Sequence, residues 1–227
     1  MFGRKSEISE AMKQAPMIAT ITLLAVSCAL VYRAIKYVPQ SDPGQPLDDS
    51  ANQEVNFLQD MMNNVANTAP QVSDTVAAAN RRAFLDMIAF SEGTSGPQGY
   101  LTMFGGRLMD SLEVHPHQYF SFTNSRGEQL KTSAAGRYQF LGKTWDSLAA
   151  KLGLPDFSPQ SQDSGAIELI RQRGALPDVD AGRVDVAIQK CAPVWASLPG
   201  AGYAQPERKL YQLEAAFTDA GGMIVSA

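Results

Sequence analysis

A long apolar stretch lies near the beginning of the chain, at residues 17–32 (MIATITLLAVSCALVY). It belongs to an uncharged segment bounded by Lys13 and Arg33. Because about 20 apolar residues span a bilayer as a helix, we predict a transmembrane helix over residues 17–38, preceded by a tail of residues 1–16. The Ala, Thr and Ser content makes this helix only moderately hydrophobic, so a releasable signal-anchor, a cleaved secretory signal and a soluble core helix are alternatives.

The distribution of basic residues predicts the orientation of this helix. Arg4, Lys5 and Lys13 precede the apolar run and Arg33 and Lys36 lie at its far end, whereas residues 37–80 contain no Lys or Arg. Basic residues favour the cytoplasmic side. We therefore expect a single-pass membrane protein with a cytoplasmic N-terminus, whose residues from about 39 onward lie on the periplasmic side.

Residues 39–80 predict a linker followed by a helical stalk. The segment 39–50 (PQSDPGQPLDDS) is rich in Pro and Asp and suits an extended spacer. From Val55 the apolar residues recur at intervals of three and four, as on one face of a helix. This face either packs on the stalk's own domain or associates with another copy through residues 52–69.

The pattern changes again at Asn80, where NRRAFLDMIAFSEGTSG begins. Its apolar spacing predicts a buried helix with Asn80 as N-cap and Gly93 as the stop. Glu92 therefore falls at the C-terminal end of that helix. The negative end of the helix dipole and the loss of water both raise a carboxyl pKa there. A carboxyl that acts as a general acid needs such a shift to stay protonated near neutral pH.

The remaining pattern predicts an α+β domain over residues 81–227. Residues 93–136 are rich in glycine and poor in long apolar patterns, which favours a small β-hairpin lobe. Three further helices are expected. One starts at Ser158-Pro159, and the other two are indicated by apolar residues at helical spacing over 184–198 and over 210–220. The cleft between the hairpin lobe and the helical lobe is the expected site.

The same domain resembles a known family. AFLDMIAFSEGT (83–94), SAAGRYQF (133–140), LGLPDFSPQSQD (152–163), RGALP (173–177) and VWASLPGAGYAQ (194–205) occur in the order found in lambda phage endolysin and its relatives, which are lysozyme-like lytic transglycosylases. The resemblance runs from about residue 82 to 222. It implies the lysozyme-like fold, peptidoglycan glycan strands as substrate, cleavage between N-acetylmuramic acid and N-acetylglucosamine, and Glu92 as the catalytic residue.

Six residues near these blocks are candidates for substrate binding. They are Tyr100, Ser133, Tyr138, Gln139, Tyr203 and Gln205. Gln139 has an alternative role in fixing local backbone, and Tyr138 one as a structural partner of Arg137. In the lambda family Asp follows the Gly-Tyr pair of the hairpin lobe, whereas Leu101 stands here, so any auxiliary carboxylate is absent or is Asp110 or Glu113.

The resemblance favours transglycosylation, in which Glu92 acts alone. Phage lysozymes of another common type carry Asp or Cys nine residues after the catalytic Glu and Thr six further on, but this chain has Leu101 and Arg107 there. Hydrolysis on the same fold is one alternative, and a non-catalytic peptidoglycan-binding or structural membrane protein is another. Host lysis and wall penetration by a virion-borne enzyme are both compatible with the sequence.

Composition removes several other classes. A net charge of -4 and the lack of any Lys/Arg run argue against a nucleic-acid partner. Two cysteines give no disulfide framework. His115 and His117 lack a third ligand at a recognisable spacing, so we expect no metal and no other cofactor.

Overall fold

The computed structural model describes residues 49–225. The predicted tail and transmembrane helix (1–38) and most of the proline-rich spacer lie outside the described residues. Within residues 49–225 no helix is both long and apolar enough to cross a membrane. The described residues fall into two units that divide between Ala69 and Pro70, and the β strands and the helices after α1 belong to the second unit.

The first described element is helix α1, Asp49–Glu92. The predicted N-cap at Asn80 is wrong, because Asn80 lies inside this helix. Asn80 is buried, its Nδ2 donates to the Asp180 carbonyl (3.1 Å), and its Oδ1 accepts the Met223 N–H (2.9 Å). The predicted stop is confirmed, since Gly93 follows the helix with a φ of 74°. The predicted boundary between residues 80 and 81 falls within α1.

The expected β lobe is present as two separate antiparallel hairpins. Their strands are β1 Thr102–Met103, β2 Arg107–Leu108, β3 Phe120–Thr123 and β4 Gln129–Thr132. β1 pairs with β2, and β3 pairs with β4 in the register Phe120 to Thr132. Short 3-10 turns at Gly99–Leu101 and Phe104–Gly106 flank β1.

Five helices form the other lobe: α2 Gly142–Leu152, α3 Pro159–Gln172, α4 Leu176–Asp180, α5 Val184–Cys191 and α6 Leu210–Asp219. The predicted start of α3 is confirmed, because the Ser158 side chain accepts the Ser161 N–H and Pro159 is the first helical residue. The helix expected over residues 184–198 ends at Cys191. Trp195 and Leu198, which lie beyond its end, are also buried.

The last turns of α1 run through the centre of the core. Phe84, Met87 and Ile88 are fully buried, and burial of each such side chain stabilises the fold by about 1.5–3 kcal/mol. Glu92 is therefore carried at the end of a helix whose last turns are buried. Elsewhere in the core, the Trp195 indole N–H donates to the Tyr138 carbonyl (3.1 Å), which joins the segment after α5 to the turn that precedes α2.

Candidate active site

Glu92 is the last residue of α1 and lies in the wall of a cleft of about 860 Å³. Its Oε1 accepts a hydrogen bond from the Ser197 hydroxyl at 2.6 Å. Burial raises the pKa of the Glu92 carboxyl, and the Ser197 hydrogen bond and the positive charge of Arg208 oppose that rise only in part. The carboxyl is thus biased toward the protonated form that a general acid requires.

Both lobes line this cleft. Phe104, Gly105 and Phe122 line it from the β region, and Tyr203 and the segments 193–197 and 205–208 line it from the helical lobe. The two phenylalanine rings pack on each other with centroids 5.3 Å apart. Aromatic faces beside a carboxyl suit a sugar, whose C–H groups pack on rings while its hydroxyls bond polar groups.

The β3–β4 turn touches the loop that follows α5. Ser125 donates from its backbone N–H (3.0 Å) and from its hydroxyl (2.7 Å) to the Ala204 carbonyl. Ala204 has a φ of 56°, a left-handed conformation unusual for a residue with a side chain. The contact joins the hairpin lobe to the loop that carries Tyr203 and Gln205.

Gln139, a predicted substrate-binding residue, lines the cleft, but its amide nitrogen donates to backbone carbonyls. Nε2 donates to the carbonyls of Thr102 (3.0 Å) and Gly136 (2.9 Å). The residue adopts a φ of 47°, a conformation that costs of order 1–3 kcal/mol and is often found at functional sites. Its amide is thereby fixed, with the carbonyl oxygen as the group left for a ligand.

Tyr138, Tyr100 and Ser133 have their polar groups engaged within the fold. The hydroxyls of Tyr138 and Tyr100 donate to the same Asp163 oxygen, at 2.6 and 3.0 Å. Ser133 is buried, and its hydroxyl accepts the Gly142 N–H (2.9 Å). Only Tyr138 of these three lines the cleft. Burial and the Asp163 hydrogen bond raise the Tyr138 pKa, so it stays a neutral phenol.

Tyr203 and Gln205, two predicted substrate-binding residues, line the cleft from the loop after α5. The Tyr203 hydroxyl donates to the Pro193 carbonyl (2.8 Å), and the residue is half exposed. Asp110 and Glu113, the candidate auxiliary carboxylates, are exposed and do not line the cleft.

The cleft residues that were not predicted from the sequence include three with polar or charged side chains near Glu92: Ser197, Glu207 and Arg208. Ser197 lies inside the VWASLPGAGYAQ block, and the other two follow that block directly. Glu207 accepts the N–H groups of Gly200 (2.9 Å) and Gly202 (3.2 Å), one on each carboxylate oxygen. The Arg208 guanidinium lies 5.0 Å from the centre of the Phe90 ring.

Comparison with known proteins decides the family. The model of the endolysin family matches residues 82–224. The endolysin of Escherichia phage lambda is 47% identical over 150 residues, which are 63% of this chain and 92% of that protein. The endolysin of Escherichia phage P2 is 45% identical over 157 residues, 63% of this chain and 94% of that protein.

The chain belongs to the endolysin family.

Solved structures extend the likeness to the fold. Lambda lysozyme in complex with a chitohexasaccharide is 46% identical, covers 65% of this chain and 97% of its own, and has a TM-score of 0.61. Another structure of lambda lysozyme is 45% identical, has the same coverage of both chains, and has a TM-score of 0.58. The predicted lysozyme-like fold is confirmed. As an endolysin with this fold, the chain is an enzyme that degrades peptidoglycan by cleaving glycosidic bonds.

Proposed function

We propose that the chain cleaves the β-1,4 bond between N-acetylmuramic acid and N-acetylglucosamine by lytic transglycosylation, with Glu92 as its one catalytic carboxyl. The observation that carries this proposal is the state of the second carboxylate. Among the described residues that line the cleft, Glu92 and Glu207 are the carboxylates. Both oxygens of Glu207 accept backbone N–H groups, and these amides lower its pKa, so it stays ionised and engaged.

A single carboxyl suffices for this reaction. Glu92, protonated, donates its proton to the O4 atom of the leaving sugar as the C1–O4 bond breaks. The resulting carboxylate then accepts the proton of the muramyl 6-hydroxyl while that oxygen attacks C1. A 1,6-anhydro ring forms, Glu92 regains its proton and no water is consumed. Glycosidases that depart from the usual pair of carboxylates are recognised exceptions.

The cleft suits this substrate. Phe104, Phe122 and Tyr203 offer ring faces for sugar units, and Gln139 offers an amide oxygen held in one place. The likeness to a lysozyme solved with a chitohexasaccharide supports an oligosaccharide that occupies several positions. Hydrolysis remains the competing outcome, in which water replaces the 6-hydroxyl as the nucleophile.

Product analysis separates these outcomes. The full chain in detergent is incubated with purified peptidoglycan, beside Glu92→Gln and the control Glu113→Gln, whose carboxylate is exposed outside the cleft. We expect muropeptides that end in 1,6-anhydro-muramic acid, retained in the control and lost in Glu92→Gln. Reducing ends would establish a hydrolase. Full digestion by Glu92→Gln would contradict the assignment of Glu92.

We further propose that residues 17–38 tether the enzyme in the membrane with its catalytic domain on the periplasmic side. The uncharged segment and the basic residues that precede it support this placement. Resistance to carbonate extraction is expected while the membrane is energised, and release after depolarisation would indicate a signal-anchor. Recovery of the protein from purified particles would favour wall penetration over host lysis.

Self-association through residues 52–69 is proposed for the stalk. Met62 is 50% exposed on α1 within the first unit and belongs to the apolar positions that recur at intervals of three and four from Val55; an exposed apolar face of a helix favours pairing. Sedimentation of the wild type against Met62→Ser is expected to show a larger species lost in the variant. Identical sedimentation of the two would remove the proposal.

A further inference from the structure

A row of hydroxyls leads away from the carboxyl of Glu92 into the protein. Glu92 Oε1 lies 2.6 Å from the Ser197 hydroxyl, which lies 2.9 Å from the Ser91 hydroxyl. Ser91 in turn donates to the Ile88 carbonyl at 2.8 Å. Ser91 is buried. The row therefore ends on the backbone of α1 and leads neither to a second carboxylate nor to a base.

Each serine hydroxyl carries one hydrogen, and this limits the arrangements that are possible. When Glu92 is ionised, Ser197 donates to Oε1 and Ser91 donates to Ile88. When Oε1 is protonated, Glu92 donates to Ser197, Ser197 donates to Ser91, and Ser91 still donates to Ile88. Every hydroxyl is satisfied in both arrangements, and only the Ser197 hydroxyl has to rotate.

We propose that Ser197 and Ser91 form a switchable pair of positioning residues that holds the Glu92 carboxyl in one place in both its acid and its base form. The proposal rests on the proposed role of Glu92 as general acid and base. No proton passes through the serines. In the free enzyme the acid proton lies on Oε1 and donates to Ser197. With substrate bound it lies on Oε2, from which it leaves for O4 and to which it returns from the 6-hydroxyl, while Ser197 donates its own hydrogen to Oε1.

The two serines have opposite effects on Glu92. Ser197 donates to the carboxylate and so favours the ionised form, whereas Ser91 competes with Glu92 for the Ser197 hydrogen. Ser197→Ala removes the donor and should raise the Glu92 pKa. Ser91→Ala removes the competitor, commits Ser197 to Glu92 and should lower the pKa. A role in packing alone gives no reason for shifts of opposite sign.

The other polar groups around the carboxyl are not altered by these substitutions. Arg208 faces Glu92 with its positive charge. Glu207 is bonded to the amides of Gly200 and Gly202. The remaining two titratable side chains of the cleft, Tyr138 and Tyr203, donate to Asp163 and to the Pro193 carbonyl.

The test uses the full chain in detergent and two readouts. One is the pH profile of kcat/KM on purified peptidoglycan, whose alkaline limb reports loss of the proton from Glu92. The other is an NMR titration of the 13C-labelled Glu92 carboxyl, which requires no turnover. We expect Ser197→Ala to move both to higher pH and Ser91→Ala to move both to lower pH, each by roughly half a unit to one unit.

Controls keep the outcome interpretable. Ser197→Thr keeps the hydroxyl and should restore the wild-type pKa, and Ser147→Ala, which removes an exposed hydroxyl on α2, should change neither readout. If Ser91→Ala does not fold, Ser91→Cys supplies a weaker acceptor and the same direction of shift. Equal shifts in one direction, or no shift, would overturn the proposal. Titration shifts without any anhydro product would instead refute the transglycosylase function.

Discussion

A Cβ atom added to Gly136 would lie 2.3 Å from Oε1 of Gln162. That oxygen accepts the N–H of Arg137 (2.8 Å), and the Gln162 amide nitrogen donates to two further backbone carbonyls. Gly136 has a φ of 80°. The turn that presents Gln139 to the cleft is therefore held from the interior by a buried glutamine on α3.

Gly136→Ala should destabilise the protein and reduce its activity. The left-handed φ costs a side chain about 1–2 kcal/mol, and the collision with Gln162 adds to that cost because a buried glutamine cannot move without losing its hydrogen bonds. Displacement of the turn also moves Gln139. Urea unfolding and kcat/KM on peptidoglycan measure the two effects.

Gly153→Ala is the matched control for Gly136→Ala. Gly153 ends α2 with a φ of 66° and has open space around the position of a Cβ. In this variant the free energy of unfolding should fall only by the cost of the left-handed φ, about 1–2 kcal/mol, and the activity should be unchanged. Equal losses of stability in the two variants would show that contact with Gln162 is unimportant.

His115 should make the protein less stable on mild acidification. Its Nε2 donates to the Phe140 carbonyl (2.9 Å), and its Nδ1 accepts the His117 N–H (3.1 Å), a pattern that only the neutral ring can make. Burial lowers the pKa of His115 below its usual 6.5. Neutral His115 therefore contributes its full stabilisation at pH values above the pKa that the histidine has in the unfolded chain. This contribution is lost as the pH falls through the lower pKa that it has in the folded protein.

Urea unfolding of His115→Gln at about pH 7.5 and about pH 5 tests this expectation. The variant should be less stable than the wild type at the higher pH but should lose less stability between the two. His117→Gln is the control, because His117 is exposed and bonds Asp146 at 3.2 Å. If the stability of His115→Gln fell between the two pH values as much as that of the wild type, His115 would not be the cause of the acid destabilisation.

Hydrophobic periodicity accounts for most of what the sequence predicted correctly. The apolar positions before Glu92 lie on a buried helix, and Gly93 ends it. Asn80 was misassigned because a cap and a buried polar residue inside a helix have the same sequence signature. Only the distant partners of its side chain, Asp180 and Met223, distinguish the two.

The surroundings of Glu92 could not be predicted in this way. Ser197 lies 105 positions away along the chain from the carboxyl that it contacts, and no local pattern encodes such a contact. Tyr138 and Tyr100 illustrate the same limit, because a sequence does not say which way a phenol points. Both hydroxyls donate to Asp163 on α3.

Glu207→Gln should weaken substrate binding more than it slows the chemical step. The carboxylate holds the N–H groups of Gly200 and Gly202, so its loss loosens the loop that carries Tyr203. We expect KM to rise several-fold with a smaller change in kcat and an unchanged 1,6-anhydro product. Glu113→Gln is the control, and loss of the anhydro product in Glu207→Gln would instead give Glu207 a catalytic role.

Arg208→Gln should extend activity to higher pH. Burial is the main cause of the raised Glu92 pKa, and the positive charge of Arg208 partly opposes it. Without that charge the pKa rises further. Because the reaction begins with protonated Glu92, kcat/KM falls as pH rises through this pKa, and the alkaline limb should therefore move upward.

Charge can be separated from packing at this position. Arg208→Lys keeps a cation but loses the planar group that lies over Phe90, so its alkaline limb should stay near that of the wild type. Added salt screens the charge and should move the wild-type limb toward that of Arg208→Gln. Exposed Arg82, changed to Gln, serves as the control for net charge. If Arg208→Lys shifts the limb as far as Arg208→Gln, guanidinium packing and not charge governs the titration of Glu92.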